Sequence, residues 1–372
     1  MTFYIQFENA SIDKVELPNI INFSFTSSLF KFYSGAKLTL NDPTFQFNNE
    51  LKVGMKVNIV FYDDNTTYVN KMQVFSIEKL PSAIQNYTTQ FNLILVPQLY
   101  FEDSVLTSSY YGNTSQIIEE ILEKQYSNVV TDYDITQTVD YARRRYQIAE
   151  RSQDFMQRIM KYGIKDSLPV YAYFSPQGKF NLHGVSDMMG NDTQTMIYAQ
   201  SAVEMGEVPS SSENYNRMIY TDCTMNTAGK RSYSEIKSIY TTNHFSSASD
   251  IPTSLTFKSI AYKNSQSLID YPTKEVIYNW NIAPSDAFAI SARNSFEDTV
   301  NIFNIVVSFN GLHLDELAIG KTVYLILPNN PSSSTDTGNK INLGEGKYMV
   351  TKVLYSYKDN FFTTTCDMIQ VA

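Results

Sequence analysis

The residues best suited to metal binding or acid–base chemistry are the three histidines, and their spacing argues against a shared site. His183, His244 and His313 fall in different predicted elements, and none stands four residues from another or beside a cysteine. Protein metal sites usually draw several such ligands from short, regular spacings. The sequence therefore predicts no metal site and no cofactor.

Two short motifs resemble ligand-binding loops, and each lacks a required part. Gly-Lys-Arg-Ser at 229–232 is similar to the end of a phosphate-binding loop, but Thr224 stands where the first glycine is needed. Asp-Asp-Asn at 63–65 offers oxygen ligands for calcium, although a tight turn between strands explains it better. A carboxylate pair for glycoside hydrolysis could meet in space, but no spacing nominates one. We predict no catalytic residue and no enzyme.

Composition limits the possible partners. The chain has 372 residues, a net charge of −9, 43% hydrophobic and 14% aromatic residues. An acidic chain without a basic stripe is not expected to bind nucleic acid stably. Cys223 and Cys366 give neither a disulfide framework nor a metal spacing. No leader and no apolar run of about 20 residues is present. We expect a protein made in a cytoplasm, without stable membrane association, that is soluble or joins an assembly.

A segment of the sequence occurs twice, and such repeats decide a fold. In the same order, the first copy has Glu50, Leu51, Gly54 and Val57, and the second has Glu316, Leu317, Gly320 and Val323. Further along, Lys71, Val74 and Ile77 correspond to Lys347, Val350 and Val353. A third apolar stretch follows at 90–96 and at 365–371.

Each copy predicts a turn and three antiparallel strands. Gly54 and Gly320 can take a positive φ at little steric cost. Alternation then places Val57, Ile59 and Phe61 on one face, as it does Val323, Leu325 and Leu327. The interpretation is a small antiparallel barrel or sandwich in each copy. The alternative is two unrelated β-meanders with similar turns.

Between the copies the hydrophobic period becomes helical. Thr114 and Ser115 are predicted to cap a helix that carries Ile117, Ile118, Ile121 and Leu122. A second helix is predicted to start at Ser152 as its N-cap and to carry Phe155, Met156, Ile159 and Met160 on one face. Gly163 is expected to end it in a left-handed conformation. Strands at 170–174 and 179–183 then form a hairpin.

This central segment resembles the tail hub proteins of tailed phages and of related contractile injection systems, including the spike proteins of type VI secretion. The matching residues are Glu150, Ser152, Asp154, Phe155, Arg158, Ile159, Gly163, Ile164, Gly178 and Phe180. The resemblance implies two similar β-barrel tube domains that flank a central α+β domain. It also implies a homotrimeric ring with pseudo-sixfold symmetry that joins a sixfold tail tube to a threefold spike.

The expected fold is therefore mainly β, with two similar antiparallel β-barrel domains flanking a helix-plus-hairpin domain. Residues 1–100 would form the first barrel, 101–206 the central domain, and 207–225 with 300–372 the second barrel. Residues 226–299 would be an insertion, with weak strand signals at 254–261 and 274–280 and a helix from Pro284. A single strand is predicted at 216–225 and another at 303–309. Because the sequence ends soon after the second copy, the spike is expected to be a separate chain.

The function expected from the resemblance is structural. The chain would sit at the tail tip of a virion and contact the tail tube protein and the spike, with the tape-measure and baseplate proteins as further candidate partners. DNA would only pass through its channel, whose acidic wall would repel it. Two alternatives stay open. One is a receptor- or carbohydrate-binding tail module, in keeping with the tyrosine-rich composition, and the other is a polysaccharide-degrading tail enzyme.

Overall fold

The structure is a computed structural model of the whole chain. It describes residues 2–8, 14–42, 47, 50–63, 66–80, 89–102, 104–190, 193, 195–199, 216–227, 235–240, 254–258, 273–278, 284–326 and 346–371. The expected linker at 207–213, the motif at 229–232, His244 and Leu327 lie outside these residues.

The first 100 residues form a β unit. Its strands are β1 (Thr2–Phe7), β2 (Lys14–Val15), β3 (Ile20–Ser28), β4 (Gly35–Asp42), β5 (Lys56–Asp63), β6 (Thr66–Leu80) and β7 (Thr89–Pro97), with short 3-10 turns at Leu17–Asn19 and Gln98–Tyr100. Val57, Ile59 and Phe61 are all buried, as their alternation predicts. Ile21 alternates with Phe23 and Phe25 along β3, a pattern that predicts one shared face, yet Ile21 is 41% exposed whereas both phenylalanines are buried. A register shift between Ile20 and Asn22 explains this, because the extra residue turns Ile21 outward.

The middle of the chain has its own hydrophobic core and mixes helices with strands. Its elements are β8 (Val105–Gly112), α1 (Thr114–Gln125), β9 (Tyr133–Ile135), β10 (Arg143–Arg151), α2 (Ser152–Met160), β11 (Ile164–Lys165), β12 (Leu168–Phe174), β13 (Phe180–Gly184) and α3 (Val185–Gly190). The predicted helix faces are buried in one cluster that includes Ile117, Ile121, Phe155 and Ile159. The hairpin is confirmed as β12 paired with β13.

The cap of α1 differs from the prediction by one residue. Asn113, not Thr114 or Ser115, is the N-cap. Its side chain accepts from the Gln116 amide, and the Gln116 side chain accepts from the Asn113 amide, both at 3.0 Å. Thr114 and Ser115 are buried instead and bond to Asp140 and to Thr138.

The rest of the chain forms a second β unit and a smaller sheet. The elements are β14 (Thr195–Ala199), β15 (Asn216–Tyr220), β16 (Asp222–Thr227), β17 (Glu235–Tyr240), β18 (Ser254–Lys258), β19 (Thr273–Tyr278), α4 (Pro284–Ile302), β20 (Phe303–Asn310), β21 (Thr322–Ile326), β22 (Gly346–Lys358) and β23 (Phe361–Gln370). Strands β17, β18 and β19 form a sheet of their own. The prediction of a single strand at 216–225 is wrong. The strand is interrupted at Thr221, and β15 before it pairs with β14 whereas β16 after it pairs with β20.

Both β units belong to one large sheet. Among the described residues it has 14 strands, and its main path is β15–β14–β21–β22–β3–β4–β7–β6–β5–β1–β2. Strand β23 also pairs with β22, β20 with β23, and β16 with β20. One hydrophobic cluster contains residues from both units, among them Phe3, Phe61, Val323 and Tyr348. The mainly β class is confirmed.

Candidate assembly surface

The repeated turn has the same backbone geometry in both copies. Gly54 and Gly320 have φ angles of +87° and +79°, so the predicted positive φ is confirmed. The amide of Gly54 donates to the Val74 carbonyl at 2.8 Å, and that of Gly320 to the Val350 carbonyl at 2.9 Å. Each valine amide donates back into its turn, at 2.9 Å in both copies. The repeat is therefore a three-dimensional one.

The likeness extends through the strands that follow. The register between β6 and β7 shifts between Val74 and Ser76, and that between β22 and β23 shifts between Val350 and Lys352. Each copy thus has a one-residue bulge directly after the same valine. Because a bulge resets which side chains face the core, a bulge shared at the same place fixes the two copies to the same alignment.

The motif residues of the repeat divide between core and surface. Val57, Leu317 and Val323 are fully buried, and Leu51 packs against the same core. Glu50 and Glu316 are half-buried in the turns that precede the strands. These residue types shape and fill the turn, which is a structural role.

A hydrogen bond from the first unit holds the turn region of the second. The Tyr68 hydroxyl of β6 donates to Asp315 Oδ2 at 2.8 Å. Burial, reinforced by this bond, raises the pKa of Tyr68 to about 12. The turn between β12 and β13 reaches the same place, because Gln177 Nε2 donates to the Leu314 carbonyl at 3.2 Å. This turn therefore lies beside the segment that leads into the second copy of the repeat.

The turn of that hairpin approaches β6 closely. Gly178 has a φ of +80°, and a Cβ on it would lie 2.8 Å from the Val69 carbonyl oxygen. Asn70 Nδ2 donates to the Pro176 carbonyl at 3.3 Å. Only glycine satisfies both the angle and the contact, which gives a physical reason for glycine at this motif position.

The motif around α2 is held by an ion pair and by a buried polar network. Arg158 pairs with Glu150, and its Nη2 also donates to the Tyr146 carbonyl at 2.7 Å. Ser152 Oγ accepts from Gln147 Nε2 at 2.9 Å and donates to Gln125. Phe155 and Ile159 are buried, and Asp154 lies in the first turn of the helix.

Two expectations about this helix are wrong. Arg151, not Ser152, is the N-cap, and its side chain makes no capping bond. Strand β10 runs to Arg151, so Ser152 enters the helix and its hydroxyl serves the buried network. Gly163 is not among the residues with positive φ. Glycine is needed at this position because there is no room for a side chain: a Cβ on residue 163 would lie 2.5 Å from Val170 Cγ2.

The two units are joined by strand pairing along β22. One edge of β22 carries β23, and the other carries β21 followed by β3 of the first unit. The pairing of β3 runs from Lys352 opposite Ser28 to Lys358 opposite Asn22. We call this pairing the internal seam. It is a strand-edge contact of the kind that can equally join separate chains.

The internal seam is apolar on its core side. Val353, Tyr355, Phe23 and Phe25 are all buried. The rings of Phe25 and Tyr355 lie with centroids 6.4 Å apart. Ser27 anchors it to the central domain, since its hydroxyl donates to the Phe174 carbonyl at 2.5 Å.

The two histidines in the described part of the chain, His183 and His313, do not share a site. In the part of the chain that the structure describes, no three His, Cys, Asp or Glu side chains are placed to hold a metal ion. His183 Nε2 lies 3.4 Å from Asp134 Oδ2, and its Nδ1 lies 3.2 Å from the Tyr173 hydroxyl. Burial lowers the pKa of His183. His313 lies apart from it, and its Nε2 lies 2.9 Å from the Asn310 carbonyl oxygen.

A groove of about 830 Å³ lies between α2, β12 and α4. Four of its charged side chains form two ion pairs, Arg158 with Glu150 and Arg293 with Glu297. Arg293 also stacks over the Tyr171 ring, 4.2 Å from its centroid. The groove is thus lined by residues of α2, β12 and α4 together. Within the described residues, no helix is long and apolar enough to span a membrane.

Comparison with protein-family models found no match, and comparison with curated proteins found none either. Solved structures do match over almost the whole chain. A tail protein from Neisseria meningitidis MC58 has a TM-score of 0.62 at 7% identity, covering 99% of this chain and 96% of that one. The 43 kDa tail protein of prophage MuSo2 from Shewanella oneidensis has a TM-score of 0.62 at 9% identity, covering 100% of this chain and 98% of that one.

A third solved structure with a similar fold is a component of a secretion system. The E. coli c3393 protein, a component of the type VI secretion system with structural similarity to the T4 tail proteins gp27 and gp5, has a TM-score of 0.55 at 11% identity. The match covers 99% of this chain and 77% of that one. The chain thus shares its fold with phage tail and type VI secretion proteins, which confirms the resemblance at the level of the fold.

Proposed function

We propose that this chain is a structural hub subunit of a phage tail or related injection system. Three copies would form a ring of six similar β units, placed between a sixfold tail tube and a threefold spike. The observation that carries the proposal is the duplicated unit, whose turns, bulges and registers agree and whose two copies are joined edge to edge. A chain with two equivalent units can match sixfold symmetry with three subunits.

The proposal assigns roles along the chain. Residues 1–100, and 207–225 with 300–372, would be the two barrel domains, with 101–206 as the central domain and 226–299 as the insertion. The repeat and central motif residues would then act through packing, and the chain would not be an enzyme. Its partners would be the tail tube and spike proteins, together with tape-measure or baseplate proteins, at the tail tip of the particle. DNA would cross the ring without stable binding, in keeping with the net charge of −9.

The test is the native mass of the purified chain over a concentration series, with particle averaging by electron microscopy. We expect a trimer with a central hole and near-sixfold features. If the isolated chain is a monomer, the same measurement with tail tube protein added should give the trimer. A stable dimer, a hexamer with twelve units in the ring, or a monomer that persists with the tube protein would contradict the proposal.

Turnover of peptidoglycan or capsule polysaccharide, and binding to host cells, test the two alternatives directly. We expect neither from the purified chain. Measurable turnover would overturn the non-enzymatic role. Binding through an exposed aromatic cluster would favour the tail-module interpretation.

A further inference from the structure

The repeat predicts that each strand of the internal seam has a counterpart in the other unit. In the first unit, Phe23 of β3 lies opposite Leu38, which lies opposite Leu93 of β7. In the second, Cys223 of β16 lies opposite Val307, which lies opposite Cys366 of β23. Strand β16 therefore takes the place of β3.

Strand β6 takes the place of β22 in the same way. Both follow the glycine turn, both carry the bulge after the valine that the two copies share (Val74 and Val350), and both have the last strand of their unit along one edge. Leu80 and Ser356 each lie six residues after that valine, opposite Gln90 and Thr363 of the last strand. Leu80 therefore corresponds to Ser356.

Strands β6 and β16 differ from their counterparts β22 and β3 in which strands pair with their edges. The other edge of β6 is paired with β5 only as far as Gln73, and over Ser76–Glu78 it meets no strand among the described residues. Strand β16 pairs with β20, and no described strand lies along its opposite edge. Leu80 and Thr224 are exposed on these strands. Uncovered edges of this kind are templates for another strand.

We propose that β16 of one copy of this chain pairs antiparallel with β6 of a second copy, in the register of the internal seam. Because Ser24 lies opposite Ser356 within the chain, Thr224 of one copy lies opposite Leu80 of the next. The same register places Asn226 opposite Glu78. The occupant of each open edge is therefore another copy of this chain, which specifies the subunit contact of the hub and rests on that proposed function.

The direction of this contact follows from the two different edges it uses. Each chain offers β6 on one side and β16 on the other, so the contact is head-to-tail and not two-fold. The same strand pairing would then join neighbouring β units both within a chain and between chains, so every unit would have equivalent neighbours. The units form a closed ring when the rotation from one unit to the next is a whole fraction of 360°.

The contact between copies should be weaker than the internal seam. Lys79 and Met225 occupy the register positions that Tyr355 and Phe25 occupy within the chain. A lysine opposite a methionine offers less apolar contact than two aromatic rings, so backbone hydrogen bonds carry more of the interaction. The internal seam would form on folding, and the contact between copies at higher protein concentration.

Engineered disulfides test the register. Residues directly opposite in antiparallel strands have Cα atoms about 4.5–5.5 Å apart, which a disulfide can bridge, whereas diagonal neighbours about 7–8 Å apart fall outside its range. In a Cys223→Ser background, Leu80→Cys with Thr224→Cys is the test pair. Ser24→Cys with Ser356→Cys is the matched pair inside one chain, and Glu78→Cys with Thr224→Cys is the pair displaced by two residues.

We expect oxidation to link most chains of the test pair into species larger than a monomer, up to a covalent trimer. The matched pair should close within the monomer, and the displaced pair should stay at background. A mixture of the two single variants, Leu80→Cys and Thr224→Cys, should stop at a dimer, because each chain then offers one cysteine. Native mass measured on the same samples separates the two proposals.

A trimer that lacks the test-pair link, while the matched pair forms, would overturn the edge pairing and leave the hub standing. Linked chains that grow beyond a trimer would support the edge pairing and overturn the three-chain ring. Self-linking of the single Leu80→Cys variant would show a two-fold contact and refute the head-to-tail arrangement. Absence of the link at every concentration, with tube protein present, also refutes it.

Discussion

Alanine at the two equivalent turn glycines should cost the fold different amounts. Both have positive φ, where an L side chain costs roughly 1–2 kcal/mol. Among described atoms within 4 Å, a Cβ on Gly54 would meet Gln73 Nε2 at 3.9 Å, whereas one on Gly320 would lie 2.6 Å from Met188 Sδ. Met188 is buried, so overpacking adds typically ~1–3 kcal/mol. We expect losses of unfolding free energy of about 1–2 kcal/mol for Gly54→Ala and about 2–5 kcal/mol for Gly320→Ala.

Urea unfolding followed by circular dichroism measures these losses, provided that the slope with denaturant is unchanged. Gly190→Ala is the control, because no atom of the described residues lies within 4 Å of its Cβ and its φ is not positive; it should stay within about 0.5 kcal/mol of the parent. In a Met188→Ala background, the cost of Gly320→Ala should fall to that of Gly54→Ala. Equal losses for the two glycine variants, or no coupling to Met188, would refute the argument.

Four further outcomes are expected. Gly163→Ala should lower the free energy of unfolding by about 1–3 kcal/mol, since its Cβ would lie 2.5 Å from Val170; thermal melts should show that Val170→Ala suppresses this added cost. Ser152→Ala should cost about 1–3 kcal/mol in urea titrations, because it removes the hydroxyl that bonds to both Gln147 and Gln125 in a buried network; no loss would contradict the network. Burial lowers the pKa of His183, so the unfolded chain takes up the proton first and stability should decline as pH falls below about 6.5; His183→Gln should flatten the decline between about pH 7 and 5. Burial raises the pKa of the Cys223 thiol to about 11, so alkylation by iodoacetamide, followed by mass spectrometry, should keep accelerating up to about pH 10, and a plateau by about pH 9 would count against this.

The two copies of the repeat differ where each meets its surroundings. Strand β5 takes β1 as an antiparallel neighbour, with Ile5 opposite Ile59. At the equivalent edge, β21 takes β14 as a parallel neighbour, with Ile197 opposite Leu325. Both arrangements bury the same edge, because a strand of either direction satisfies its backbone groups. Equivalent units can therefore accept different connections without changing their core.

Local sequence patterns predicted the parts of the fold that depend on nearby residues. Gly54 and Gly320 were predicted to have positive φ because few other residues tolerate it, and both do. The apolar faces of α1, α2 and β5 were predicted from periodicity, and their side chains are buried. Ile21 shows the limit of periodicity, since a single bulge reverses the face of a residue without any change in pattern.

Partners distant in sequence decided the rest. Ser152 has the residue type of an N-cap, yet Gln125 and Gln147 recruit its hydroxyl. Gly163 stands where a helix often ends with positive φ, yet Val170, brought up by β12, is what requires a glycine. The local sequence does not reveal these contacts, because tertiary packing brings the glutamines to Ser152 and Val170 to Gly163.

The sequence by itself predicted a repeated turn-and-strand segment, with a helix-plus-hairpin segment between its two copies. Glycine conformation and strand alternation are properties of neighbouring residues, so they can be identified without a structure. Only the tertiary structure decided that β3 crosses to β22 and that no described strand covers the second edge of Ser76–Glu78 or of β16. Strand pairing depends on which backbone groups meet across long distances in the chain, and almost any side chain permits it.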